Sequence, residues 1–401
     1  MGMRNFTVLY IYELKKILMR RISWITVIFI TAFIFFSLIL EVCFESRLFL
    51  VGQQQITLRG IEYLIQRKEC LERLNGQKIE DSMLKTLNDF QVYQDAQSDI
   101  DAAVHEQMRK SEIGQFVYWI TKDGKLAYEI DEKTLYQMRT EGQQVNWYNQ
   151  QLNKEEMNYW LSQEEKIEKP FVYGYAHGWE KILQEFKGLN MMLVLAIVIC
   201  LSNMFSEEHI RKTDQLILSS RCGKKTVFLS KMAAGITLGF GIGILFLLTA
   251  IFSTLGIYGA EGADVAIQIS MPICAYNITV LQAVLLMGVI YVVSAVFYSV
   301  ITMFLSEALN NSVAVMGVMV GGTLFTVLTT LPYNWGLISR VYELIPTVLL
   351  NMEKLYYGKL IPIFGTYVTN FKVAPLIYLI ICVGLIIEGK KIYGNYQVKD
   401  C

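Results

Sequence analysis

The feature that most restricts this chain is an apolar stretch near its start. Residues 22–40, ISWITVIFITAFIFFSLIL, contain no charged side chain. A helix rises about 1.5 Å per residue, so a run of roughly this length covers a hydrocarbon core of about 30 Å. The run is longer than the apolar region of a cleavable signal peptide, and no small-residue cleavage site follows it. It predicts a retained transmembrane helix over 22–41.

The rest of the chain is also suited to a bilayer. Hydrophobic residues make up 53% of the sequence and charged residues only 18%, which is a poor composition for an ordinary soluble domain. We therefore predict an all-α polytopic membrane protein with six transmembrane helices. Besides the first, the predicted spans are 188–205, 227–255, 279–305, 312–331 and 373–388.

The distribution of Lys and Arg predicts the orientation of these spans. Basic residues cluster before the first span, between the second and third, and in the tail 389–401. The 332–372 loop carries four basic residues of its own, but its length and apolar pieces weigh against a cytoplasmic position. Both termini are therefore predicted to be cytoplasmic. The clusters contain Arg4, Lys15, Lys16, Arg20 and Arg21; Arg211, Lys212, Arg221, Lys224 and Lys225; and Lys390, Lys391 and Lys399.

Two polar regions are predicted on the outer side. Residues 42–187 are long enough for a small core of their own, and apolar periodicity over 56–74 and 81–97 predicts helices. Residues 122–131 predict a turn and a short strand. We expect a mainly helical extracytoplasmic domain with a little strand. The 332–372 outer loop has three prolines between apolar pieces, which predicts short helices at the membrane face.

The spans hold no ionisable residue near their middles, since Glu41, Lys231 and Glu388 all fall at ends. Ion-coupled carriers need such groups at membrane depth, so a self-powered transporter is disfavoured. A phosphate-binding loop is also missing, because Leu218 and Lys225 occupy the positions where the motif around Gly223-Lys224 needs Gly and Ser or Thr. Any ATP-driven function requires a partner.

The sequence gives no sign of a catalytic, metal or nucleic-acid site. The seven cysteines and three histidines lack metal-binding spacing. The net charge of +0 provides no basic field for nucleic acid. We predict that the chain is not an enzyme and holds no cofactor itself. Cys43 and Cys70 either pair on the outer side or are separate small apolar residues; both possibilities stay open.

The loop 206–226 between the second and third spans is the strongest candidate for a contact site. Ser206 can cap a helix whose first turn carries Glu207 and Glu208, at the positive end of the helix dipole. The helix is either a docking element for a partner or a solvated connector that a basic cluster anchors to anionic lipid heads.

The stretch 206–231, SEEHIRKTDQLILSSRCGKKTVFLSK, resembles the corresponding loop of ABC type-2 permeases. It departs from the family pattern at Lys212 and Arg221, which stand where Gly and Pro are usual. Leu9–Arg21 resembles the amphipathic interface helix of these permeases, here placed at 1–21, and Pro170–Trp179 is similar to a segment of bacterial members with an enlarged outer domain. The matching positions in the loop are Thr213, Leu216, Leu218, Ser219, Lys224 and Lys231.

The resemblance implies a permease subunit of a bacterial ABC exporter in the cell (plasma) membrane. Its partners would be an ABC ATPase subunit that holds ATP and Mg, a second permease in a homodimer or heterodimer, and membrane lipid. The substrate would be hydrophobic or amphipathic, such as an antimicrobial peptide or a lipid-like molecule. The implied ATPase contacts are Glu207, Glu208, Arg211, Lys212, Thr213, Asp214, Leu216 and Leu218 in the coupling helix, with Glu13, Lys15 and Lys16 in the interface helix available to the cytoplasm or the ATPase.

Two other functions are compatible with parts of the sequence. An intramembrane protease is suggested by Glu207-Glu208 followed by Arg211. Such chemistry needs histidines on neighbouring helices at membrane depth, whereas this pair lies at the cytoplasmic edge and His105 and His177 belong to the outer domain. An ATPase-linked membrane sensor or mechanotransmitter, which moves no solute, would also explain the large outer domain. Separately, the glycines at 235, 239, 241 and 243 indicate either a close helix contact or the usual enrichment of glycine in membrane helices.

Overall fold

The computed structural model describes residues 2–51, 54–86, 100–122, 130–145, 153–206, 223–332, 335–355, 360–363 and 365–395. Helices dominate these residues, and two β-hairpins join them. The helices are α1 (Gly2–Leu18), α2 (Arg21–Phe44), α3 (Gly60–Glu72), α4 (Asp81–Thr86), α5 (Ile100–Thr121), α6 (Glu132–Val145), α7 (Lys154–Glu164), α8 (His177–Leu201), α9 (Gly223–Tyr258), α10 (Ile267–Ser270), α11 (Val280–Leu309), α12 (Ser312–Leu328), α13 (Leu337–Tyr342), α14 (Pro346–Leu349) and α15 (Asn370–Asn395). The strands are β1 (Ser46–Val51), β2 (Gln54–Arg59), β3 (Leu360–Ile363) and β4 (Thr366–Thr369), and a 3-10 turn covers Met352–Leu355.

Five of the helices, α2, α8, α9, α11 and α15, are long and apolar enough to cross a membrane. The prediction of a mainly helical, multi-pass membrane protein is confirmed at this level. The predicted span 188–205 differs most from the structure, because α8 begins at His177 and its charged first turns continue the apolar helix without a break. The predicted fifth span at 312–331 forms α12, an apolar helix of 17 residues.

A tight turn explains where α12 begins. Asn310 adopts the left-handed conformation with φ 51°, which ends α11. The side-chain oxygen of Asn311 then accepts hydrogen bonds from the backbone N–H groups of Val313 and Ala314, at 2.9 and 3.2 Å. These bonds satisfy two amides at the start of α12 that have no partner within the helix. The two asparagines thus reverse the chain within a few residues.

Helix α11 forms the centre of the bundle and packs against α8, α9 and α15. Helix α2 packs on α8 and α9, and α1 also lies against α9. The domain end of the bundle is the end that carries residues 46–176; the opposite end contains the last turns of α8, α11 and α15 and the first turn of α9. Two polar regions therefore cap one apolar bundle.

Glycine permits a close approach between α9 and α11. A Cβ atom added at Gly235, Gly239 or Gly243 would lie 2.2, 1.8 or 2.8 Å from side-chain atoms of Met303, Ser299 and Ala295, respectively. These glycines recur every four residues and so share one helix face. An added Cβ at Gly241 would meet nothing within 4 Å. The structure therefore favours the close helix contact for three of the four glycines.

The outer domain has two apolar cores. The first joins the β1–β2 hairpin, α3 and α5 to Val42 of α2 and Tyr258 of α9. The second lies among α3, α4, α5, α6 and the extended residues 171–175. The hairpin was not predicted: residues 56–59, which were expected to be helical, form β2, and α3 begins at Gly60 with φ 58°. Residues 87–97 and 123–129 of the predicted helix and strand lie outside the described residues.

The outer loop after α12 contains the short helices that its prolines predicted, α13 and α14, and also an unpredicted hairpin, β3–β4. Arg340 of α13 donates a 2.7 Å hydrogen bond to Glu156 of the outer domain, and the side-chain amide of Asn153 donates to the hydroxyl of Tyr367. The loop and the outer domain therefore form one polar assembly at the domain end.

The structure also decides between the two possibilities for Cys43 and Cys70. Cys43 is exposed, Cys70 is buried, and both are free. The Cys70 thiol lies 3.1 Å from the backbone oxygen of His105 and so contributes to the contact between α3 and α5. Cys43 and Cys70 are therefore two separate residues and do not form a disulfide.

Gly239→Ala tests the close packing of α9 on α11. The new methyl group must displace Ser299, whose hydroxyl bonds the backbone oxygen of Ala295, and such overpacking costs about 1–3 kcal/mol. We expect a lower thermal unfolding temperature in detergent. Gly241→Ala is the matched control, and we expect it to be neutral or slightly stabilising because Ala favours a helix. Equal unfolding temperatures for the two variants would contradict the close contact.

Candidate functional site

The predicted docking residues of the loop 206–226 lie almost entirely in a part of the chain that the structure does not describe. Described residues stop at Ser206 and resume at Gly223. Glu207, Glu208, Arg211, Lys212, Thr213, Asp214, Leu216 and Leu218 lie outside the described residues. The candidate site therefore consists of the residues around the end of α8, where this segment begins, and the start of α9, where it ends.

Ser306 of α11 holds the first of these places. Its hydroxyl donates a 2.6 Å hydrogen bond to the backbone oxygen of Ser202. The Ser306 Oγ atom also accepts hydrogen bonds from the backbone N–H groups of Phe205 and Ser206, at 3.2 and 3.4 Å. A single buried side chain thus binds three backbone groups where α8 ends, which is where a helix has carbonyl groups without internal partners.

Lys231 of α9 holds the same turn from the other side. Its Nζ donates to the backbone oxygen of Met204 at 3.3 Å and lies 5.0 Å from the ring centre of Phe205. The Lys231 side chain is fully buried. A buried ammonium requires such partners, because transfer of an unpartnered charge out of water is very costly.

An aromatic cluster completes the contact. Phe205, Phe228 of α9 and Tyr393 of α15 have ring centres 5.5 to 5.9 Å apart. We call Ser202, Phe205, Ser206, Phe228, Lys231, Ser306 and Tyr393 the collar. The collar connects both ends of the segment 207–222 to α8, α9, α11 and α15. A force on that segment would therefore reach four helices at once.

Sequence analysis found only part of the collar. Ser206 and Lys231 belong to the stretch that resembles the permease loop, but Ser206 directs its hydroxyl to the backbone oxygen of Ser202 at 3.3 Å. Ser306 and Tyr393 were not predicted. Their partners lie about a hundred or more residues away in sequence, and no local pattern marks such a contact.

The structure places the three residues of the interface helix differently from one another. Lys15 is exposed, and Lys16 is partly exposed. Glu13 is buried, with its Oε2 atom 4.0 Å from Lys16. The prediction that Glu13 is available to the cytoplasm or an ATPase is wrong, because the face of α1 that carries Glu13 and Ile17 packs inward, and Tyr10 bonds Thr237 of α9.

A second polar group lies at the domain end, where α8 begins. Arg67 of α3 donates to Glu112 of α5 at 3.1 Å, and its Nη1 lies 2.9 Å from Nε2 of His177. Burial lowers the pKa of Arg67, but the charges of Glu112, Tyr63 and Glu180 and the hydrogen bond to Glu112 together outweigh this effect, so the net pKa is raised. Burial, aided by Glu112, raises the pKa of Tyr173 well above its usual value. These contacts bind the outer domain to the first turn of α8.

A buried ion pair attaches the outer domain to the α9–α11 connection. Arg139 of α6 makes two 2.9 Å hydrogen bonds to Glu164 of α7 and a 2.8 Å bond to the backbone oxygen of Cys274. Lys169 adds a contact of 2.7 Å to Glu164. The paired geometry compensates for the loss of hydration of the two charges. The sequence contains no signal for this group, because its members come from three separate segments.

No group of three or more His, Cys, Asp or Glu side chains suited to a metal ion occurs in the described residues. Comparison of the chain with protein-family models, with curated proteins and with solved structures finds no match. The resemblance to ABC type-2 permeases therefore rests on the sequence features given above.

Ser306→Ala tests the collar. The change removes one hydrogen bond to Ser202 and leaves two backbone N–H groups without their acceptor, a loss of about 1–3 kcal/mol. We expect faster amide hydrogen exchange over residues 202–206. Ser294→Ala is the matched control, since Ser294 is equally buried but bonds only Ile290 of its own helix. Unchanged exchange over 202–206 in Ser306→Ala would show that the collar does not hold this turn.

Proposed function

We propose that this chain is the membrane-spanning permease subunit of an ABC exporter that obtains its energy from a separate ATPase. The observation that carries the proposal is the collar: one cluster binds both ends of the segment 207–222 and contacts four long helices. A docking segment needs such an anchorage, because contacts with a partner do work only when they move the helices attached to them.

In this proposal the chain has six spans and places both termini in the cytoplasm. Helix α12 is the fifth span in chain order. It begins beside the end of α11, and its other end contacts the outer loop, where the hydroxyl of Thr326 lies 2.6 Å from that of Thr347. Basic residues cluster near the end of the bundle that lies opposite the outer domain. By the positive-inside rule, these residues support a cytoplasmic position for both termini. The location would be a bacterial cell (plasma) membrane.

The partners follow from the mechanism. ATP and Mg would be held by an ABC ATPase subunit, and a second permease, identical or related, would complete the pathway. Glu207, Glu208, Arg211, Lys212, Thr213 and Asp214 would contact the ATPase, and Leu216 and Leu218 would pack against the bundle. Lys15 and Lys16 remain candidates for further contacts. The cargo would be hydrophobic or amphipathic, since the spans offer it few charges.

A second function is favoured by the continuity of α8. This helix has 25 residues and is about 37 Å long. It begins in the Arg67–Glu112–His177 group and ends in the collar, so it connects the outer domain directly with the predicted docking segment. An ATPase could act on the outer domain through this helix without moving any solute. Transport assays in vesicles distinguish this mechanotransmitter from an exporter.

The docking prediction is tested by co-expression with an ABC ATPase whose gene lies next to the gene of this chain, if the genome contains one there. Because acidic residues are proposed to contact the ATPase, Glu207→Arg combined with Glu208→Arg reverses two charges in the contact and should abolish co-purification in detergent. Glu165→Arg combined with Glu168→Arg makes the same charge change on the outer domain and should leave co-purification with the ATPase intact. If the wild-type chain recovers no ATPase, the exporter and the mechanotransmitter both lose their energy source.

The proposed topology is tested with single cysteines in a cysteine-free background. We expect a membrane-impermeant maleimide to label Trp335→Cys in intact cells, because residue 335 follows the fifth span on the outer side. Asn310→Cys should react only after the membrane is opened. Labelling of both positions from outside would mean that α12 does not cross the membrane.

A further inference from the structure

The outward face of the β1–β2 hairpin carries exposed apolar side chains. Paired residues of an antiparallel hairpin point to the same face, and every second residue along a strand shares that face. One face buries Phe49, Val51 and Leu58 in the first core of the outer domain. The other face, which we call the outward face, consists of the pairs Ser46 and Arg59, Leu48 and Thr57, and Leu50 and Gln55. Leu48 and Leu50 are 56% and 57% exposed, which is unusual for two neighbouring leucines.

The hairpin is attached to the end of the span α2. Strand β1 begins two residues after Phe44, the last residue of α2, which is itself 80% exposed. At the other end of the hairpin, the backbone N–H of Gly60 donates a 2.8 Å hydrogen bond to the backbone oxygen of Glu45. Both ends of the hairpin are therefore held at the end of α2. Because α2 is long and apolar enough to cross a membrane, this end lies at the level of the lipid headgroups.

The exposed apolar surface continues onto α3 and ends after two turns. Ile61 and Ile65 are 67% and 54% exposed, and Glu69 follows four residues later on the same helix face. Glu62, about 100° around the helix from Ile61, borders this face. Ile61 directly follows Gly60, whereas Glu69 lies about 12 Å further along the helix. The face of α3 is therefore apolar near the end of α2 and polar away from it, which is the order expected where a domain meets a membrane at its base.

Arg59 adds a positive charge to the outward face. Its side chain is exposed, and it forms no ion pair with any residue in the ranges that the structure describes. A guanidinium group can bind two phosphate oxygens at once, while its aliphatic stem covers apolar surface. An arginine at the base of a leucine-bearing face therefore matches a lipid phosphate that lies above acyl chains.

The outer domain fixes the hairpin in this position. Gln107 of α5 bonds both backbone groups of Leu50: its Oε1 accepts from the N–H at 3.2 Å, and its Nε2 donates to the backbone oxygen. Gln107 thereby occupies part of the free edge of β1, where a strand of another chain could otherwise be added. A lipid surface needs only the outward face, so it suits this hairpin better than a paired strand does.

We propose that the outward face is a membrane-contact surface, which lies on the leaflet at the domain end. Phe44, Leu48 and Leu50 enter the boundary between headgroups and acyl chains, and Arg59 binds a lipid phosphate. The contact removes three large apolar side chains from water, and anionic phospholipid strengthens it through Arg59. It holds the outer domain at a fixed height above the bilayer. The proposal requires α2 to cross the membrane but no ATPase.

The experiment uses the full-length protein in nanodiscs of phosphatidylcholine and phosphatidylglycerol, with one cysteine in a cysteine-free background. The fluorophore NBD is attached to Leu48→Cys. We expect a nitroxide-labelled phospholipid to quench its fluorescence strongly and iodide in the buffer to quench it weakly. The reverse is expected for NBD on Glu165→Cys, an exposed position elsewhere on the outer domain. Leu50→Cys shares the outward face and should behave like Leu48→Cys.

Charge reversal tests the role of Arg59. With NBD on residue 48, phosphatidylglycerol should increase quenching by the labelled lipid relative to nanodiscs of phosphatidylcholine alone, and Arg59→Glu should abolish this increase. Arg47→Glu is the matched control, because Arg47 pairs with Leu58 on the opposite face of the same hairpin. It should retain the increase. Every substituted residue is exposed, so we expect these variants to fold like the wild type.

Three results would overturn the proposal. Equal quenching by iodide at residues 48 and 165 would place the outward face in water. Protection of residue 48 from both quenchers would show that protein, such as a second copy of the chain, covers this face instead of lipid. Loss of the phosphatidylglycerol effect in Arg47→Glu as well as in Arg59→Glu would indicate a general effect of charge and no specific contact through Arg59.

Discussion

A membrane helix must satisfy its backbone polar groups without help from water, and this constraint explains the ends of the bundle as much as its middle. The spans themselves meet it through helical hydrogen bonds. Where helices stop, side chains replace the missing partners: the buried Ser306 binds the last turn of α8, and the exposed Asn311 caps α12. The collar exists because three backbone groups and one lysine need partners at the same place. Its role in anchoring the segment 207–222 follows from that local need.

At the domain end of the bundle, a polar domain is joined to apolar helices. Ionic groups provide most of the specific contacts. Arg139 links α6 to Glu164 and to the connection before α11, and Lys181 of α8 pairs with Glu41 of α2 at 2.5 Å. Apolar contacts add to them, since Val42 and Tyr258 from the spans belong to a core of the outer domain. The domain is therefore part of the same packed structure as the spans.

The sequence predicted most of what depends on local composition. Long apolar runs identified five helices that can cross a membrane, and prolines indicated the short helices of the outer loop. The prediction was weaker where contacts join distant residues. Residues 56–59 of β2 were mistaken for part of a helix because they continue an apolar pattern into α3, and only Gly60 marks the boundary. Glu13 was predicted to be exposed because it is charged, and nothing in the sequence indicates that α1 packs on α9. The collar and the Arg67 and Arg139 groups depend on tertiary proximity that no periodicity reveals.

The unbroken course of α8 has a thermodynamic consequence. Its first turn takes part in the Arg67 group of the outer domain, and its last turn is fixed by Ser306 and Lys231. Suppose that a molecule bound at one end changes the equilibrium between two positions of this helix. Linkage then requires a binding event at the other end to alter the first affinity by the same factor. A change in affinity at the domain end would therefore measure how strongly a partner binds at the opposite end of the bundle.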